Sequence, residues 1–166
     1  MKNKFLELLG TVKRPGINEL TDWLKNKSDF FTAPASTGYH GAQEGGLLEH
    51  SLAVYNCLTM VVSHFKIGVN PESFILTGLL HDICKTNFYK TEKRWRKDES
   101  NKWEQYDTYA IEDQFPFGHG EKSVYIIEQF MRLSVEEAMA IRWHMGPWNA
   151  ESYADRQTLN AAMDTR

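Results

Sequence analysis

Apolar positions recur at helical spacing along most of the chain. Phe5, Leu6, Leu8, Leu9 and Val12 predict a short first helix, stopped near Pro15-Gly16, and Ile17, Leu20, Trp23 and Leu24 predict a second. The stretch from Asp29 to Gly46 is rich in Ala, Pro, Ser, Thr and Gly and reads as a loop. A long helix follows from about Leu47 to Phe65, with Leu48, Leu52, Tyr55, Leu58 and Val62 on one face. Asn70-Pro71-Glu72-Ser73 opens another, because Asn suits the N-cap and Pro the first helical position. That helix carries Phe74 to Cys84 and delivers His81-Asp82 in its last turn. Between Thr86 and Phe117 the period changes. Arg94-Trp95-Arg96-Lys97 and Lys102-Trp103-Glu104-Gln105-Tyr106 flank a polar stretch, which predicts a β-hairpin at about residues 92–107 with an exposed tip. Helices resume after Gly118-His119-Gly120, with Val124, Ile127, Phe130 and Met131 on one face. Ser134-Val135-Glu136-Glu137 is a capping box for a helix to about Met145, ended by Gly146-Pro147. A last helix is expected at about Arg156 to Met163. The fold class expected from this pattern is all-α, with one inserted hairpin.

Length and composition narrow the picture without identifying chemistry. A chain of 166 residues, 42% hydrophobic and 25% charged, fits one soluble domain with a sizeable core. The formal charge of −3 provides no large basic field, so no stable complex with nucleic acid is expected. Cys57 and Cys84 lie far apart within apolar runs, which reads as two buried free thiols in a reducing compartment. The N-terminus lacks the long apolar core of a signal peptide, and no run approaches a membrane span. A cytoplasmic protein that does not engage membranes is the expectation; the sequence leaves the oligomeric state open.

The chemistry begins at His81-Asp82. The doublet ends the apolar run Ile75-Leu76-Thr77-Gly78-Leu79-Leu80, and an ionisable pair there is costly to desolvate unless something binds it. A divalent cation is the simplest partner. Taken singly, the other histidines have ordinary structural explanations. His64 near a helix end favours the macrodipole. His40 lies in a loop whose small residues let a ligand approach, His50 follows two glycines into a helix, His119 sits between glycines, and His144 closes a helix. Together, His50, His81, His119 and His144 lie near helix ends, which a bundle can gather into one pocket. Four imidazoles and one bridging carboxylate suit Mn²⁺, Fe²⁺, Mg²⁺, Zn²⁺ or Ni²⁺, one ion or two.

The ordered blocks Gly45-Gly46-Leu47-Leu48-Glu49-His50-Ser51-Leu52, Leu79-Leu80-His81-Asp82-Ile83-Cys84-Lys85, Phe117-Gly118-His119-Gly120-Glu121-Lys122-Ser123 and Arg142-Trp143-His144-Met145-Gly146 resemble the HD-domain superfamily of metal-dependent phosphohydrolases. The first two blocks are similar to the HD domain of 3′–5′ exoribonucleases. The other two are similar to uncharacterised bacterial and phage HD hydrolases that carry a comparable aromatic hairpin. The resemblance spans about residues 34–148 and implies one HD helical bundle over residues 1–166. It implies that His50 and His81 hold one metal, that His119 and His144 hold a second, and that Asp82 bridges both. Lys85 matches a lysine near the aspartate and the substrate phosphate. Cys84 stands where many relatives have glycine. The family usually closes its first metal site with an aspartate on a later apolar helix. The one downstream candidate here is Asp164, in a segment similar to the one that precedes that helix, so the resemblance implies a chain lacking it or a first metal with an open position.

The expected function is therefore hydrolysis of a nucleotide or short-oligonucleotide phosphoester, with Asp82 and Lys85 as catalytic residues and Lys85, Lys122, His40 and Trp148 at the substrate. Trp148, Tyr39 and Trp143 are candidates to stack on a base. Two alternatives remain open: an inactive nucleotide- or metal-binding module, and a di-iron oxygenase with an overlapping ligand set.

Overall fold

The computed structural model describes residues 1–164. Its central helix is α4 (Pro71–Leu80), which lacks a continuous polar face: Ile75, Leu76, Gly78, Leu79 and Leu80 are all buried. Such a helix has to be surrounded. It packs against α1 (Lys2–Gly10), α3 (Gly46–Phe65) and α6 (Val135–Arg142), while α2 (Ile17–Asn26) packs on α1 and α5 (His119–Glu128) packs on α6. One core runs from Phe5 and Leu9 through Leu20, Leu47, Leu76 and Leu79 to Ile127 and Ile141. Each such side chain contributes about 1.5–3 kcal/mol relative to exposure. The last helix, α7 (Tyr153–Met163), adds only Leu159 to the buried set.

The helix starts follow the sequence. The Asn70 side chain accepts from the Glu72 amide at 2.9 Å, with Pro71 at the first position. Ser134 and Glu137 form the expected capping box of α6. Glu137 is fully engaged: Arg14 donates to both its carboxylate oxygens, at 2.7 and 2.5 Å, and Arg14 also reaches Glu72 and Ser73. This buried clamp ties the α1–α2 turn to α4 and α6, the two helices after which His81 and His144 follow.

Several expectations need correction. The fold is helical, with seven α-helices among the described residues, but "all-α" omits a substantial antiparallel hairpin. Its strands, β1 (Tyr89–Lys97) and β2 (Trp103–Ile111), extend beyond residues 92–107 at both ends. Helix α4 stops at Leu80, so His81 is its C-cap and Asp82 begins a 3₁₀ turn over Ile83–Lys85. Helix α6 stops at Arg142, leaving His144 beyond it. Cys84 is buried, but Cys57 is exposed. The later half of α3 has few neighbours, and Met60, Val61 and Phe65 are exposed there as well. Among the described residues, no helix is long and apolar enough to cross a membrane.

Candidate metal centre

Asp82 is the hub of the site. Its side chain is only 2% exposed, and each carboxylate oxygen faces a different pair of imidazoles. Oδ2 lies 3.2 Å from His50 Nε2 and 3.5 Å from His81 Nε2. Oδ1 lies 2.9 Å from His119 Nε2 and 3.3 Å from His144 Nε2. Two three-residue groups with metal-ligating spacing result: His50, His81 and Asp82, and Asp82, His119 and His144. Burial alone pushes the Asp82 carboxyl up. His119, His144, His50 and His81 together outweigh it and hold the group well below the ordinary carboxylate range.

Local structure explains the convergence. Close approach of two backbones brings His119 to His144: a Cβ at Gly120 would sit 2.1 Å from the Arg142 carbonyl oxygen, so only glycine lets the start of α5 lie against the end of α6. The start of α3 docks similarly onto its preceding loop, where a Cβ at Gly46 would meet the Gly41 carbonyl oxygen at 2.0 Å. Cys84 N–H donates to Ser123 Oγ at 3.2 Å, fixing the 3₁₀ turn to α5.

The outer ring nitrogens are also placed. His81 Nδ1 lies 3.1 Å from the Gly78 carbonyl oxygen, and His144 Nδ1 lies 2.7 Å from that of Ile141. A carbonyl at each Nδ1 fixes the ring and turns its Nε2 toward Asp82. His119 Nδ1 instead meets Cys84 Sγ at 3.3 Å. Burial and the charge of Asp82 push that thiol up to about 12, so it stays protonated near neutrality.

The donor set fits a divalent cation. Asp82 Oδ1, His119 Nε2 and His144 Nε2 are buried and none makes a hydrogen bond, although the first two approach to 2.9 Å. Three polar atoms turned toward one another without hydrogen-bond alignment are costly in a protein interior and suit a shared cation.

Of the other expected site residues, Lys85 is close: its Nζ lies 2.8 Å from Asp82 Oδ2. His40 is exposed, with its ring 5.2 Å from that of His50. Trp148 is 86% exposed on the turn after His144, and Tyr39 is 84% exposed beside His40. Trp143 stacks under its neighbour Arg142. Lys122, expected at the phosphate, is already paired within the protein. It is buried, bonded to Asp113 Oδ1 at 2.5 Å and set over the rings of Phe88 and Phe115, tying the hairpin's exit to α5. Asp164 caps α7, exposed, and belongs to neither group of metal-ligating spacing.

Sequence reasoning missed Tyr89. This residue opens β1, donates to the Ala35 carbonyl at 3.3 Å, and is pushed up to about 12 by burial and the charge of Asp82. Its position seven residues after the doublet was the available signal. The family model of the HD domain matches residues 47–165. No curated protein and no solved structure matches the chain.

Proposed function

From the premise that the chain belongs to the HD-domain family, we propose that it hydrolyses the phosphoester of a nucleotide or short oligonucleotide at two divalent cations. His50, His81 and Asp82 Oδ2 would hold one cation, and Asp82 Oδ1, His119 and His144 the other. The observation that carries this reading is the division of one buried carboxylate between two histidine pairs. When bound, such cations supply Lewis acidity: they lower the pKa of a nearby water and neutralise phosphate charge.

The chain's own residues do the rest. His81 and His144 are oriented by backbone carbonyls, so their Nε2 atoms need no rearrangement to act as ligands. Lys85 holds Asp82 and places a positive charge beside it, where a phosphate oxygen would gain from it. Water attacks phosphorus, the bond to the leaving oxygen breaks, and that oxygen takes up a proton. Each group offers three protein donors, the number at which catalytic zinc sites keep a coordination position free. The His40 ring lies beside that of His50, where it would meet a nucleotide seated at the centre.

A screen of nucleotides, dinucleotides and generic phosphodiesters against protein loaded with Mn, Ni, Mg, Zn or Fe tests the proposal. Phosphoester hydrolysis that disappears in His81→Ala is the expected result. Two bound irons with an oxygen-dependent change in absorption would point to oxygenation instead. Metal uptake without turnover of any phosphoester would leave a binding module.

A further inference from the structure

The two faces of the hairpin differ in chemistry. The register places Tyr89, Lys93, Trp95 and Lys97 of β1 on one face with Tyr109 and Trp103 of β2. On the opposite face the cations are neutralised: Lys90 pairs with Glu112 at 2.8 Å, Arg96 with Glu104 at 2.6 Å, and Arg94 with Glu92. Lys93 and Lys97 have no carboxylate within ion-pair distance among the described residues, although Asp107 stands across from Lys93 in the register. Trp95 and Trp103 are 62% and 65% exposed. A single exposed aromatic needs no explanation, but two on one face, alternating with lysines that meet no carboxylate, form a patterned surface, in which the Lys97 ammonium lies 5.7 Å from the centre of the Trp103 ring.

This face also leads to the metal centre. At its base, Tyr89 bonds the Ala35 carbonyl, and Ala35 N–H in turn donates to the Gly41 carbonyl at 2.8 Å. That closed loop carries His40, whose ring lies beside His50. From Tyr89 to Lys97 the face spans about 27 Å at ~3.4 Å per residue.

We propose that this face is a stacking platform for a single-stranded oligonucleotide, which it leads toward the Asp82 centre; the choice of occupant rests on the phosphoester-hydrolase reading above. Each base offers a flat π surface to Trp95, Trp103 or Tyr109, and the intervening lysines meet the phosphates. A duplex hides its base faces from such a platform. A purely acidic peptide would engage the lysines and leave the tryptophans without a counterpart. The weak overall charge does not conflict with this, because the platform offers only a short cationic track.

The test is fluorescence anisotropy of a labelled oligothymidylate of about ten residues, with full-length protein in chelator so that no hydrolysis intervenes. Saturable binding is expected. Trp95→Leu and Trp103→Leu should each weaken it about 5- to 160-fold at the usual strength of base–aromatic stacking. Lys93→Gln with Lys97→Gln keeps the aromatics and should flatten the dependence of log K on log salt by about 1.4, or ~0.7 per phosphate. The inference fails if wild-type protein does not bind, if the tryptophan variants bind equally well, or if duplex DNA or polyglutamate binds as tightly. Hydrolysis of a small diester is read separately. Oligonucleotide binding without it keeps the platform and removes the function proposed above. Hydrolysis without binding removes only the platform.

Discussion

A single side chain, Asp82, connects both halves of the candidate centre through its two oxygens. This makes a prediction that distinguishes a bridging carboxylate from two independent sites. Asp82→Asn replaces one ligating oxygen by an amide donor and removes the charge shared by both groups. Affinity for both cations should fall by more than the 10–100-fold typical of losing an outer partner. His119→Ala should remove one cation and leave the other bound. Equilibrium dialysis with elemental analysis reads both outcomes, and Asp82→Asn protein that kept one tightly held ion would show that the carboxylate is not shared. At this scale the sequence was informative about identity and poor about geometry. His119 and His144 are each ambiguous alone. Their shared approach to Asp82 Oδ1 relates them in space. The Lys122–Asp113 pair was not legible, because Asp113 lies in an irregular stretch where no periodicity marks it. Cys57 was misread because an apolar run along α3 does not reveal that the helix outruns its neighbours.

Among elements, the contact between α5 and α6 decides whether the second histidine pair exists. Gly120 sits at that contact against backbone, which cannot move aside as a side chain can. Gly120→Ala should cost about 1–3 kcal/mol by overpacking, more if α5 cannot shift. A melting temperature lower by roughly 3–10 °C follows for a domain of this size. Displacing α5 also carries His119 away from His144, so the variant should bind one cation where the proposed centre takes two. Wild-type stoichiometry and melting in Gly120→Ala would mean that the close approach is unimportant. Helix existence was readable from apolar spacing and caps, as at Asn70 and Ser134. The helix ends beside the site were not. His144 looked like the last turn of α6, yet the helix stops at Arg142, and His144 Nδ1 occupies the Ile141 carbonyl that a further helical turn would have used. That early stop frees His144 to turn toward Asp82. The hairpin was found by its turn chemistry and underestimated in length, because strands exposed on both faces lack a buried alternation to mark their ends.

For the whole molecule, the proposed ligands come from α3, the end of α4, the start of α5 and the segment after α6, so cation binding there would join parts of the chain from His50 to His144. Binding that requires the folded arrangement stabilises it by about 2.7 kcal/mol per site at one hundred times Kd. A rise in melting temperature of roughly 5–10 °C on adding metal to chelated protein follows at 2–4 °C per kcal/mol. Acid should work in the opposite direction. Asp82 and Glu137 both have folded pKa values below their ordinary ones. In each case burial opposes the shift and is outweighed, by the four histidines at Asp82 and by Arg14 and Ser73 at Glu137. Groups depressed in this way contribute stability that is fully present above the unfolded pKa, about pH 4, and is lost as pH falls through the folded value. Melting of wild type and Asp82→Asn, with and without metal, at pH 7 and below pH 4 separates the contributions. Wild type should lose its metal response and part of its intrinsic stability in acid. Asp82→Asn should have no metal response at either pH and should retain only the acid sensitivity that belongs to the Arg14–Glu137 clamp. A metal response surviving in Asp82→Asn would place the stabilising cation elsewhere, and the centre would then not be what holds these four segments together.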